Sequence, residues 1–252
     1  MLPGEPTIAR RRINDSFPEF AVAEVFLGDA PTDQNPSSQD GAVEAVLAET
    51  VAMTIDAGRM ESGLQTEDGS DLRVELLTVV RGHDDTAADL LAHAASMISQ
   101  DPTHWPPQPG TLLPDVVQQM DAESERKITA RNGLLVVPYV WDDGVPHVHE
   151  VTSGGVSRHS KEDDADVEFT HPGRLTIAAQ LVMLTDEELE LAQTAGVAAV
   201  QERLVREGVN INNIWRETNR NGSSQAECRL GSWHFIGNTV RQHLPRSWGN
   251  LT

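Results

Sequence analysis

The run "HVHE" (His147–Glu150) is the local pattern in this chain with the most suggestive ligand spacing. Alternate residues of a strand face the same way, so His147 and His149 would present two imidazoles to one ion. His159, His171 or Glu150 are the sources of a third ligand. Glu150 adjoins His149, however, and so points to the opposite face. Two histidines at the rim of a sheet are the simpler reading. A second grouping, "VTSGGVSRHS", offers Ser153, Ser157, Ser160 and His159. It lacks the G-x-S-x-G elbow, and spacing assigns no acid to the histidine. The acidic runs "EDDAD" (162–166) and "TDEELE" (185–190) supply carboxylate pairs. A solvated face explains the first, and compensation of a helix N-terminus the second. With no G-x-x-x-x-G-K and no G-x-G-x-x-G, nucleotide use has no support. No catalytic residue is assigned and no cofactor is expected.

Composition narrows the function classes further. The chain has 252 residues, with 39 acidic and 19 basic side chains and a formal charge of −20. Such a surface repels phosphate backbones and anionic headgroups, which argues against nucleic-acid or membrane partners; it favours a basic protein, or simply solubility. The longest apolar runs, 133–141 and 175–184, are too short to span a bilayer. Arg10–Arg12 is followed by polar and acidic residues instead of an apolar signal core, so cytoplasmic residence is expected. Cys228, the single cysteine, can form no internal disulfide.

The elements that must position these residues read as follows. Residues 1–41 are expected to be irregular, with a loop at "DAPTDQNPSSQDG" (29–41). "AVEAVLAETVAM" (42–53) fits helix and strand periods equally. "DLRVELLTVVRG" (71–82) predicts a buried strand, and "DDTAADLLAHAASMIS" (84–99) an amphipathic helix stopped by the prolines of 101–110. "GTLLPDVV", "NGLLVVPYVWDDG" with a turn at 142–144, and "HVHEVT" read as strands, followed by a long polar loop over 153–173. A strand over 175–184 leads into Thr185-Asp186-Glu187-Glu188, which has the form of a capping box. Gly196 interrupts the helix that follows, predicting a kink or a helix pair, and Gly208 is placed to end it.

Four blocks, in order, carry a resemblance to the Suppressor of fused domain family. They are Ser62-Gly63-Leu64 with Glu75-Leu76-Leu77; "ADLLAHAASMI" with "PGTLL"; Leu134-Leu135 with Pro138; and Leu184-Thr185, Glu188, Gly196, Leu204 and Gly208-Val209-Asn210. Gln65 and Asn210 stand where the family pattern has serine and aspartate. The resemblance implies an α+β fold, a mixed and mainly antiparallel sheet flanked by helices, forming a single lobe. It would occupy 42–218, after an irregular segment 1–41 and before a tail, 219–252, docked on the domain. It also implies a non-enzymatic protein-binding module. Stand-alone bacterial members are similar to immunity proteins encoded beside toxins, so the implied partner is a protein, a basic toxin domain being one candidate. Among the 19 basic residues only Lys127 and Lys161 are lysines, which fits a bacterial source. Trp141, Asp142, Asp143, Glu162, Asp163, Asp164 and Asp166 are the candidate contacts, a turn-tip aromatic beside clustered carboxylates.

Overall fold

Two strands of eleven residues, β4 (Asp71–Arg81) and β10 (Arg174–Leu184), lie parallel at the centre of the sheet. Both are buried along most of their length because both faces are covered, which replaces the usual alternation of buried and exposed residues by a continuous buried run. The computed structural model describes residues 5–28, 48–67, 69–82, 85–118, 120, 127–141, 144–150, 154–156, 168–170 and 173–216.

Around this pair the other strands are antiparallel. They are β1 (Thr7–Arg11), β2 (Phe20–Leu27), β3 (Glu49–Thr54), β5 (Leu112–Leu113), β6 (Asn132–Val136) and β7 (His147–Glu150). The order is β1-β2-β3-β4-β10-β6-β5, an eight-stranded sheet when β7 is included. β7 and β6 share one edge of β10, pairing with 174–177 and 180–184 respectively. A separate hairpin joins β8 (Gly154–Val156) to β9 (Glu168–Thr170) within the long 153–173 loop. The fold class is therefore α+β, with a mixed, mainly antiparallel sheet.

Helix α1 (Thr86–Gln100) covers one face. Leu72, Val74, Leu76 and Val80 of β4 meet Leu90, Leu91, Ala94 and Ala95 of the helix in the larger core. On the second face α2 (Asp186–Ala195) and α3 (Val197–Glu207) cover β6 and β10, where Leu134, Val182 and Leu184 pack with Ala192 and Val200. Gly196, at φ 87° and ψ 162°, separates the two helices, so of the two expected forms, a kink or a helix pair, the pair is the one observed. Thr185 and Glu188 form the reciprocal capping box, and Gly208 ends α3 in the left-handed region at φ 61°.

Two expectations need correction and one open reading resolves. Residues 1–41 are not irregular throughout: β1 and β2 belong to the main sheet, so the domain begins well before residue 42. Phe20 and Val22 are fully buried under α1, and an isolated β1–β2 hairpin would have little stability without β3 beside it. Between 42 and 53 the ambiguity resolves to strand over Glu49–Thr54, because β3 fills the space between β2 and β4. The strands at 110–117 and 132–141 are shorter than expected. Pro114 has no N–H to donate and Asp115 is left-handed at φ 50°, while Pro138 follows the end of β6. The loop at 29–41, Cys228 and the tail 219–252 lie outside the described residues.

Candidate functional site

The register of β7 on β10 fixes the faces of the "HVHE" strand. His147 lies opposite Ile177 and His149 opposite Leu175, whereas Val148 and Glu150 lie opposite Thr176 and Arg174. The two imidazoles therefore share a face and Glu150 lies on the other, as strand alternation required. All four side chains are exposed, Val148 by 63%. Among the described residues no group of three His, Cys, Asp or Glu could hold a metal ion. His159 and His171 lie outside those residues, as do Ser153, Ser157 and Ser160.

Of the acidic-loop contacts, Asp142, Asp143, Glu162, Asp163, Asp164 and Asp166 also lie outside the described residues. Trp141 does not stand out at a turn tip. With Val140 it packs, partly buried, against Val51, Leu77 and Val79 on the second face of the sheet. The reason is area: an uncovered apolar sheet face loses about 25 cal/mol for each Å² left in water.

The residues that carried the family resemblance fold as scaffold. Ser62 Oγ donates to Leu72 O and accepts from Leu64 N at 3.1 Å, tying the Ser-Gly-Leu turn to β4. Glu75, 9% exposed, accepts from Thr54 Oγ1 at 2.5 Å, Ala57 N at 3.0 Å and Gly58 N at 2.9 Å. Burial pushes its carboxyl up, and these donors only partly offset that. Glu188, besides capping α2, meets Arg216 at 2.5 Å with both side chains 9% exposed. Arg216 also donates to Met183 O at 2.8 Å and Asn213 O at 3.2 Å. The strap after Gly208 is held at its middle as well: Asn212 O accepts from Arg81 N, and Ile214 O from Thr129 N and Ala130 N. Tyr139, with its hydroxyl on Asn212 Oδ1 at 3.2 Å, has its phenol pushed up by burial.

A cavity of ≈ 240 Å³ opens between α1 and the 57–62 segment. Val74, Leu76, Ala95 and Ile98 form its apolar lining, with Glu61, Ser62 and Ser99 as polar neighbours. Both serine hydroxyls donate to carbonyls, Ser62 to Leu72 O and Ser99 to Ser96 O, so neither is set up as a nucleophile beside a base.

A different cluster was invisible in the sequence. Arg11 of β1 reaches toward Glu24 of β2 and the start of α1, with Nη2 2.8 Å from Asp85 Oδ2 and 3.7 Å from Glu24 Oε2, and Nε 3.7 Å from Asp89 Oδ1. Glu24 is 3% exposed, and its Oε1 has no hydrogen-bond partner. Burial pushes its carboxyl up, Arg11 opposes that, and Asp85 and Asp89 add to it. Asp85 and Asp89 face solvent, their side chains 63% and 44% exposed. The available signal was one glutamate inside the apolar "FAVAEVFL" run.

No family model matches the chain, and no curated protein matches it. Among solved structures it is similar to a protein from Neisseria gonorrhoeae described as a suppressor of fused (SUFU) homolog. The identity is 14% and the TM-score 0.45, over 86% of this chain and 90% of the other.

Proposed function

We propose that this chain is a non-enzymatic module that binds another protein, a basic one, and that it acts in the cytoplasm as an immunity protein against a toxin domain. The observation that carries the reading is charge: 39 acidic against 19 basic side chains give −20, a field that draws a cationic protein in and repels nucleic acid and anionic membrane alike. The ordered blocks resembling Suppressor of fused domains support the binding role. So does the use made of buried charge, since Glu75 and the Glu188–Arg216 pair hold loops and helix ends. Among the described residues no helix is long and apolar enough to cross a membrane.

The test is affinity capture from native cells at low and moderate salt, followed by identification of bound proteins. A single basic partner whose retention falls as salt rises is the expected result, because screening acts on exposed charge pairs. No specific partner at either salt would defeat the reading. The competing proposal, a metal-dependent enzyme using His147 and His149 with His159 or His171, would then have to be met by stoichiometric metal in untagged protein. That metal would have to disappear in a His147→Ala, His149→Ala double variant.

A further inference from the structure

We infer that the cavity between α1 and the 57–62 segment is the anchor pocket for one apolar side chain of the protein partner, a phenylalanine-sized group with basic residues beside it. The inference rests on the protein-binding reading above and gives that reading a place on the molecule.

The room in this pocket has a cause in the sequence. Val74 and Leu76 of β4 line it from the sheet, and three of its other lining residues are short: Ala57 and Ala95 end at Cβ, and Ser99 one atom further. The ≈ 240 Å³ left between them exceeds the roughly 150 Å³ at which an apolar cavity already takes up a benzene ring. Polar contacts keep the wall from closing. Glu75 holds one end of the segment through Ala57 N at 3.0 Å and Gly58 N at 2.9 Å, and Ser62 Oγ ties the other end to Leu72 O and Leu64 N. Collapse of the segment onto β4 would break these bonds, so the pocket is preformed and a ligand spends no binding energy on shaping it.

The lining selects what can enter. Ser62 and Ser99 commit their hydroxyl hydrogens to Leu72 O and Ser96 O, which leaves hydrocarbon as the main surface on offer. A charged or amide side chain would lose its hydration there without return, whereas an apolar one gains by leaving water. Side chains seated in such desolvated pockets carry most of the energy of an interface. Glu61 also lines the cavity, and it is exposed. Among the described residues it has no ion-pair partner, whereas Asp56 and Asp71, before and after it in the chain, are paired with Arg59 at 3.2 Å and Arg73 at 3.3 Å. Its uncommitted carboxylate favours a basic residue next to the anchor and repels an acidic one.

The test follows the alanine, isoleucine and methionine methyl signals of the full chain by NMR during titration with capped tripeptides. The first carries phenylalanine between two arginines, the second glycine between two arginines, and the third phenylalanine between two glutamates. Saturable shifts at Met60, Ala95 and Ile98 are expected with the first and none with the second. The third should bind at least about fivefold more weakly than the first. Ala95→Met fills the pocket from α1, and Ser99→Leu does so from a half-buried position that puts the fold at less risk. Each is expected to cost at least about tenfold in affinity for the first peptide without lowering Tm. Glu61→Gln should lose about threefold, against less than about 1.5-fold for Glu202→Gln at an exposed position of α3. Absence of shifts at these methyls, equal binding of the glycine peptide, undiminished binding by Ser99→Leu, or equal losses in Glu61→Gln and Glu202→Gln would each overturn the assignment. Capture of a basic partner to the same extent by wild type and by Ser99→Leu would also overturn it and leave the wider binding reading standing. A wild-type chain that captures nothing while seating the first peptide would defeat the wider reading and leave the selectivity of the pocket intact.

Discussion

Replacing Arg216 by methionine removes the cation of a buried pair while preserving most of the side-chain volume. Arg216 and Glu188 are each 9% exposed, and their charged atoms meet at 2.5 Å. The substitution also withdraws the donors now satisfying Met183 O and Asn213 O. Glu188 would keep the Thr185 N–H at 2.8 Å, which is too little for a buried carboxylate. Breaking such a pair from one side costs about 3–5 kcal/mol. For a chain of this size that corresponds to a fall of roughly 10 °C in Tm. The assay is urea unfolding monitored by tryptophan fluorescence, with the double variant Glu188→Gln, Arg216→Met completing the cycle. The double variant should recover roughly half or more of the single-variant loss, because no unpaired charge then remains. A loss below about 1 kcal/mol for Arg216→Met would refute the claim that this contact anchors the strap to the helix start.

Three further outcomes are expected. Gly133→Ala in β6 would bring a Cβ to 2.7 Å from Leu181 Cδ1, 3.2 Å from Val116 Cγ2 and 3.3 Å from Leu113 Cβ. That overpacking should cost about 1–3 kcal/mol in the same urea assay. Glu24 has its folded-state carboxyl raised, so its contribution is fully present below the ordinary glutamate pKa and lost as pH rises through the folded value. Glu24→Gln should therefore gain on the wild type as pH climbs through that window, and a gap constant from pH 4 to 8 would contradict this. His147→Ala with His149→Ala changes exposed edge positions, so its unfolding free energy should stay within about 0.5 kcal/mol of wild type. Metal content by elemental analysis should not change.

Elements whose signals are local were readable from the chain itself. The β-branched and leucine-rich runs of β4 and β10, the stripe of α1, the Thr185–Glu188 capping box, the break at Gly196 and the stop at Gly208 each depend on neighbours within a few residues. The shared face of His147 and His149 followed in the same way from strand alternation. Tertiary structure decided whatever depends on distant partners. β2 is a strand because β3 pairs with it, and Glu49–Thr54 is a strand because it lies between β2 and β4. Trp141 is partly buried because the second face of the sheet needed cover. The Arg11 cluster exists only because the β1–β2 hairpin meets the start of α1. The amino-acid sequence thus determined its periods and caps, which short-range sterics and hydrogen bonding impose. Only the packed sheet decided which carboxylates share a cation, since that depends on strands brought together from far apart.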